Sequence, residues 1–285
     1  MKKTIITLAL MLGNILTGWC DSSLNILPAP QKIVMGEGTF VVKKGLAIVS
    51  TDANDFSANF LQDKLEEVFD FPITLTRQSV NEGFIRFETD KSLPEEGYRL
   101  DVTAKGITIV SATPAGKYYG VQTLLQLFPS EVYSGEHLRL KEYPMEVVTV
   151  EDAPRFGYRG FMLDVSRTFF ELDYLKRYID WMSFHKLNKL HLHLTDDNGW
   201  RIEIKKYPDL TRKGAWRGKN ELIPPTYLSG SERYGGYYTQ KEMKELITYA
   251  QQRNVMIIPV FDLPGHALSS TAVFGDVTCG THTDK

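Results

Sequence analysis

Cysteine is nearly absent from this chain: Cys20 and Cys279 are the only two among 285 residues. If Cys20 carries a lipid, no internal disulfide is possible. An excess of one charge is missing too. Thirty-three basic residues stand against 35 acidic ones, a net charge of −2, so there is no electrostatic reason to expect nucleic acid or an anionic membrane surface as a partner. No apolar run is long enough to span a bilayer comfortably; the nearest, Ile5 to Leu16, is too short. Internal repeats and low-complexity tracts are also lacking. What is present, 42% apolar and 24% charged residues, is the composition of a soluble globular protein. The length allows one large domain or two ordinary ones. Aromatics are plentiful, with 15 Phe, 14 Tyr and 4 Trp. Aromatic faces suit sugar rings, although most of these side chains must serve the core.

Residues 1–23 read as a targeting segment. Lys2-Lys3 form a basic start, Ile5 to Leu16 an apolar stretch, and Leu16-Thr17-Gly18-Trp19-Cys20 its end, before polar Asp21-Ser22-Ser23. This resembles a bacterial lipoprotein signal, with Cys20 as the lipidated residue and membrane anchor. Trp19 departs from that pattern, where a small residue is expected, and ordinary signal cleavage is the competing reading. Both imply export, to the periplasm or outer membrane of a bacterium.

Residues 24–150 follow with mixed signals. After a Pro-rich entry, Leu24 to Gly38, strand-like runs fall at 39–42, 46–50, 73–76, 84–88, 98–102 and 107–110. Helical spacing of Phe56, Phe60, Leu61, Leu65 and Val68 marks one helix. Thr113-Pro114 opens a second, which Pro129 ends. The expectation is a small α+β sandwich, helices on one face of a mainly antiparallel sheet, with nothing catalytic in it. Val147 to Pro154 reads as a bridge. Residues 151–285 then alternate buried strand and amphipathic helix: Tyr158–Val165, the helix of Leu172, Leu175, Ile179 and Met182, then Leu190–Leu194. A Gly-rich stretch from Lys205 to Gly236 comes next. A helix capped by Thr239 with Glu242 three residues on follows, then Val255–Phe261. That rhythm argues for a parallel sheet or barrel.

The chemistry gathers at strand ends. KLHLHLTDDNGWRIEI, Lys189 to Ile204, runs as an apolar alternating strand and then breaks at Thr195-Asp196-Asp197-Asn198-Gly199. Two carboxylates past the carboxyl end of a strand stand where barrels place their chemistry; a solvated turn is the alternative. Arg159 sits in the first buried strand with Asp164 near its end. Its guanidinium suits vicinal sugar hydroxyls or a carboxylate, or else forms a buried bridge to Asp164. In Asp262-Leu263-Pro264-Gly265-His266 the turn can bring His266 back toward Asp262, a carboxylate–imidazole pair that fixes a tautomer; a structural histidine is the alternative. His191 and His193 share a strand face, and with Asp196, Asp262 and His266 would complete a metal site.

Taken together, YRGFMLDVSR, HLHLTDDNGWRIEIKKYPDLT, GAWR at Gly214–Arg217 and GGYYTQKEMKELITYAQQRNVMIIPVFDLPGH resemble glycoside hydrolase family 20, the β-N-acetylhexosaminidases. Lys105 to Pro129 resembles the non-catalytic domain that precedes the barrel in that family. The resemblance implies an α/β fold: the small α+β sandwich followed by the first three or so strands of a TIM-type (β/α)8 barrel. It implies release of terminal β-linked N-acetylglucosamine or N-acetylgalactosamine from glycans, with neither metal nor organic cofactor. The implied mechanism is substrate-assisted and retaining, outside the two-carboxylate scheme of most glycosidases. By the same resemblance Arg159 holds sugar hydroxyls, and Asp196 with Asp197 forms the acidic pair of the strand-two turn. Asp262 and His266 form the relay behind the general acid, while His191 and His193 become interior packing.

Thr168 stands where the family has His, and Val260 where it has an acid before Asp262. The family's catalytic Asp-Glu pair lies on the fourth strand, and this sequence ends at Lys285 before one is met. Tyr158 to Lys285 is about half of a typical barrel of roughly 250 residues. The expectation is therefore an N-terminal portion of an exported hexosaminidase, inactive alone, whose remainder or a second copy is its partner. A non-catalytic carbohydrate-binding remnant and a metal-dependent hydrolase using His191, His193 and His266 are the alternatives.

Overall fold

A computed structural model describes residues 24–134, 137–226 and 229–275. The expected signal segment, with Cys20, and Cys279 lie outside them. The first half is a seven-stranded sheet with spatial order β1-β7-β5-β6-β4-β2-β3. The strands are β1 (Lys32–Lys43), β2 (Ala47–Val49), β3 (Thr74–Thr76), β4 (Phe84–Thr89), β5 (Tyr98–Thr103), β6 (Gly106–Ser111) and β7 (Glu142–Asp152). Two helices, α1 (Phe56–Val68) and α2 (Pro114–Leu125), pack on each other over its core. Each starts where its cap dictates. The Asp55 carboxylate accepts from Ser57 N at 3.0 Å, and Thr113 caps α2 ahead of Pro114.

The sheet is mixed rather than mainly antiparallel. β1–β7, β7–β5 and β5–β6 are antiparallel, but β6–β4, β4–β2 and β2–β3 are parallel. The reason is α1, a crossover between β2 and β3, because a helix between neighbouring strands returns the chain in the same direction. The presumed bridge after Val147 is instead part of β7, an interior strand. Val148 and Val150 alternate inward between β1 and β5. The entry segment likewise joins the sheet from Lys32 onward. β1 bulges between Met35 and Thr39, where Gly38 takes φ +100°, a conformation that side chains rarely adopt.

The second half is a parallel three-stranded sheet, order β14-β9-β8: β8 (Gly160–Asp164), β9 (Lys189–His193) and β14 (Met256–Val260). Between β8 and β9 runs α3 (Leu172–Phe184). Between β9 and β14 come the short arms β10 (Thr195–Asp196), β11 (Gly199–Trp200), β12 (Trp216–Arg217) and β13 (Tyr234–Gly235), the helical turn α4 (Asp209–Arg212), and α5 (Gln240–Gln252). Thr239 and Glu242 cap α5 reciprocally, as the sequence predicts. A last turn, α6 (Leu268–Thr271), follows β14. Leu190 and Leu192 of β9 are fully buried under Leu175 and Ile179 of α3 and Leu246 of α5. Among the described residues the barrel is not closed: β8 and β14 are the sheet's edges. None of the described helices is long and apolar enough to cross a membrane.

Polar side chains join the halves at the amino ends of these strands. Arg159, just before β8, forms a two-pronged pair with Glu96, both N–O distances being 2.9 Å. Its other donors reach the Lys186 and Phe156 carbonyls and the Tyr119 hydroxyl. Lys186 in turn pairs with Asp152 at 2.8 Å beside Tyr98. Burial alone would raise the Glu96 carboxyl; hydrogen bonds and charge from Arg159 outweigh it and hold the group below its ordinary 4.5. A carboxyl depressed in the folded state contributes stability above its unfolded pKa and loses it as pH falls through the folded value. Urea midpoints should therefore decline as pH drops below about 4.5, and Glu96→Gln should both lower the neutral-pH midpoint and flatten that decline. An unchanged acid limb in the variant would remove Glu96 from this role.

Candidate active site

The three parallel strands end on one side, and each delivers charged groups there. β8 ends in Asp164. β9 ends in His193 and passes through Leu194 to Asp196. β14 ends in Val260, with Asp262 two residues on. Asp196 is the centre. Its side chain is 1% exposed, and a carboxylate so buried must be neutralised. Arg167 Nη2 lies 2.5 Å from Oδ2, and His193 Nε2 is 3.0 Å from the same oxygen. The backbone N–H of Asp197 donates to Oδ1 at 2.6 Å, and His266 Nδ1 stands 3.5 Å from that oxygen. Arg167 is itself steered by Asp164, whose Oδ2 takes Nη1 at 2.6 Å. Asp164 Oδ1 also turns the chain by accepting from Ser166 and Arg167 N–H. The Asp164 hydrogen bond, with the charge of Asp196 behind it, raises the Arg167 guanidinium further above its already high pKa.

Asp197 points the other way. It is half-exposed, accepts from Leu268 N at 3.0 Å at the start of α6, and lies 3.6 Å from His266 Nδ1. His266 adopts φ +52°, a region in which His is among the few tolerated residues other than glycine. The expected return of His266 onto Asp262 does not occur: the turn delivers it to Asp196 and Asp197 instead. Asp262 is held by its own N–H donating to Thr195 Oγ1, and its carboxylate faces His193 Nε2 at 3.9 Å. His193 is thus not mere packing, because it hydrogen-bonds the central carboxylate. His191, two residues earlier, takes no part in the cluster.

Arg159 corrects the expectation of a sugar-holding arginine. It stands at the amino end of β8, five strand residues or roughly 16 Å from the cluster, with its guanidinium engaged by Glu96, Tyr119 and carbonyls. The expected bridge to Asp164 is equally absent, since that carboxylate pairs with Arg167. The guanidinium at the site is Arg167, a residue of the YRGFMLDVSR motif to which the sequence reading assigned no role. Position relative to the strand end was the usable signal: Arg167 follows the last strand residue by three, whereas Arg159 precedes the first.

Two donor sets, His193–Asp196–Asp262 and Asp196–Asp197–His266, are compact enough to surround a cation. Both depend on Asp196, whose Oδ2 already faces the fixed positive charge of Arg167. A metal there would sit against a guanidinium that cannot be deprotonated, so the residues present fit a hydrogen-bonded relay better than a metal centre.

The loops that carry these groups are tied by two further arginines. Arg201 is wholly buried, and among the described residues no carboxylate pairs with it. Its nitrogens donate to the carbonyls of Val165, Ser166, Asn198, Ala215 and Gly236. Burial, reinforced by the charge of nearby Arg217, pushes its pKa down to about 10. Arg217 links the Asn198 and Arg167 carbonyls to Ser229. A Cβ at Gly199 would meet the Arg201 guanidinium carbon at 2.3 Å, so Gly199 is the space that Arg201 fills. Arg201→Met should cost at least about 3 kcal/mol, since several buried carbonyls lose their donor at once. Arg201→Lys should recover little, because a point charge cannot reach carbonyls on separate loops. Urea unfolding measures both, and a loss below about 1 kcal/mol would show that the loops hold without it.

Known proteins resemble this chain over both of its halves. Residues 156–285 match the family model described as glycosyl hydrolase family 20, catalytic domain, and residues 23–153 match glycosyl hydrolase family 20, domain 2. A beta-hexosaminidase of Porphyromonas gingivalis is 38% identical over 265 residues, covering 91% of this chain and 33% of that protein. A mutant Streptomyces plicatus beta-hexosaminidase in complex with its product GlcNAc superposes with a TM-score of 0.79 at 36% identity, over 89% of this chain and 49% of that one. An exo beta-N-acetylglucosaminidase of Vibrio harveyi, in complex with N-acetylglucosamine, gives 0.78 at 36% identity, over 88% and 38%. The chain spans about a third of the length of the relatives it matches. Matched over both halves, this chain belongs to glycosyl hydrolase family 20.

Proposed function

We propose that this chain supplies the substrate-holding and acid-supporting part of a glycosidase that removes terminal β-linked N-acetylhexosamine, GlcNAc or GalNAc, from glycans. The observation that carries the reading is the buried Asp196 carboxylate, set between Arg167 and His266 at the carboxyl ends of three parallel strands. The reaction is substrate-assisted. The sugar's acetamido oxygen attacks the anomeric carbon while the bond to the leaving oxygen breaks and a carboxylic acid protonates that oxygen. Holding nucleophile and electrophile in one molecule makes the step intramolecular, worth up to roughly 7–11 kcal/mol in favourable cases.

This chain's own residues serve that step in three ways. Arg167 is fixed by Asp164 and Asp196 yet 38% exposed, so its remaining N–H groups face outward as donors to sugar hydroxyls. Asp196 favours the tautomer of His266 that carries its proton on Nδ1, leaving Nε2 as an acceptor toward an incoming acid. Asp262 and His193 close the inner side. Asp164 and Asp196 are both ion-paired to Arg167, and in this reading the proton donor is a further carboxylic acid outside the cluster.

The purified 285-residue chain should not turn over an aryl β-N-acetylglucosaminide, whereas the protein as its native source makes it should. Asp196→Asn in that protein should lower kcat/KM by about 100-fold or more. Turnover by the chain alone, abolished by Asp196→Asn, would overturn the division of labour. A native protein that leaves the substrate intact would overturn the activity itself. The signal-like residues 1–23 support export, with Cys20 as the lipid attachment point. On fractionating the native cells, the protein should sediment with membranes, and Cys20→Ala should release it; a cytoplasmic protein in both cases would overturn this.

A further inference from the structure

A groove of about 460 Å³ runs along the seam where α1 and α2 face α3 and α5, a size usual for small-molecule sites. It lies far from the carboxylate cluster. α3 runs back from the carboxyl ends of the strands, and its last two turns, which line the groove, lie toward their amino ends. Leu175, Ile179 and Met182 of α3 are buried against the sheet. The opposite stripe, Arg177, Asp180, Trp181 and Phe184, lines the groove at the spacing that puts side chains on one helix face.

Trp181 is 54% exposed, and it is buttressed. The Phe184 ring stands edge-on to it at 5.8 Å, and Tyr133 stands edge-on to Phe184 at 4.5 Å. Beneath lies a fixed polar floor. The Tyr249 hydroxyl donates to Asp180, as does Arg253 Nε, and the Arg253 guanidinium carbon lies 3.4 Å over the Tyr249 ring. The charges lining the groove are Lys64, Arg177 and Arg253 against Asp180 alone, a positive excess on a chain whose net charge is −2. Lys64 is shared with Glu67 at 2.8 Å and Arg253 with Asp180. Arg177 is exposed and has no ion pair among the described residues.

From this combination we infer that the groove binds an acidic sugar, a pyranose bearing a carboxylate or a sulfate. The inference rests on the reading of the protein as one that acts on glycans. The exposed indole face offers a platform for the apolar face of a sugar ring. Arg177, one helical turn away on the same face, offers a planar fork to an anionic substituent. A carboxylate has about four acceptor sites; Asp180 is 44% exposed on its side chain, which leaves an edge open to a sugar hydroxyl. A neutral sugar would use the platform and leave the Arg177 guanidinium, which lies 6.0 Å from the Tyr174 ring centre, without an anionic partner.

The test is calorimetric titration of the full chain, checked by Trp fluorescence, with N-acetylglucosamine 6-sulfate, with glucuronic acid and with neutral N,N′-diacetylchitobiose. At least one charged sugar should bind about tenfold or more tightly than the neutral one, and added salt should weaken it. Which of the two binds identifies the anion. Trp181→Ala should abolish binding, Arg177→Ala should weaken it about tenfold, and Asp196→Asn should leave it unchanged. Both groove variants alter exposed side chains, and a retained melting transition shows that they fold. No binding, an equal or greater affinity for the neutral sugar, or binding indifferent to both groove variants overturns the inference. Lack of turnover by the native protein strikes the glycosidase reading and leaves this result standing; lack of binding here leaves turnover untouched.

Discussion

The site hangs on a buried cation that pairs with no carboxylate among the described residues. Arg201 sits under the carboxyl ends of the strands with its donors directed only at carbonyls, on the β8 exit, the β10–β11 turn and the two later loops. Burying a guanidinium this way is unfavourable in itself, and the depressed pKa records it. The return is geometric. One rigid planar group fixes loops that are far apart in sequence, and those loops carry Asp164, Arg167 and Asp196. Gly199 and Gly235 are required by the same arrangement: a Cβ at Gly235 would meet the Ala215 carbonyl oxygen at 2.0 Å, on the loop that Arg201 holds. Above this scaffold the charges alternate, with Asp164, Arg167 and Asp196 in contact and the two imidazoles flanking the last. Those partners offset the cost of burying the Asp196 side chain.

The alternating signals of the second half were legible because they are local. A capping box, apolar strands and amphipathic helices each announce themselves within about a dozen residues, and β8, α3, β9, α5 and β14 lie where those signals put them. The first half was less legible for a topological reason. Strand pairing is decided between segments far apart, and nothing local tells that β4 lies parallel to β2 and β6, or that Val148 and Val150 belong inside a sheet. The Asp196–Asp197 turn could be read as a site because two acids at a strand end are costly without partners. Which partners they take was not readable. His266 passes Asp262 by and reaches Asp196, a choice made by the path of the turn and not by sequence distance.

The arginines show the same limit from the other side. Arg159, Arg167, Arg201 and Arg217 are one residue type in four environments, and chemistry alone does not tell them apart. Topology does. A side chain before a parallel strand lies at the opposite end of the sheet from one after it. Arg159 therefore belongs to the seam with Glu96 and Tyr119, and Arg167 to the site. Arg201 and Arg217 lie in the connection after β9, where the chain passes over the strand ends and carbonyls are left without strand partners. A buried guanidinium is the side chain with enough donors to satisfy several at once.

That division also bears on how the two halves act together. The clamp of Arg159 with Glu96, and of Lys186 with Asp152, fixes the amino ends of the strands against the first half. The carboxyl ends remain free to be shaped by loops. The same contacts set α3 and α5 against α1 and α2, and so form the walls of the groove. Two surfaces of different chemistry thus come from one packing arrangement. One is an ion-paired cluster organised around a buried carboxylate. The other is an aromatic shelf with an excess of positive charge. Because α3 joins them along its length, its buried face secures the strand ends while its outer face remains open to a ligand. A first half that contributes no carboxylate to the cluster is then more than a support, since it supplies one wall of the second surface.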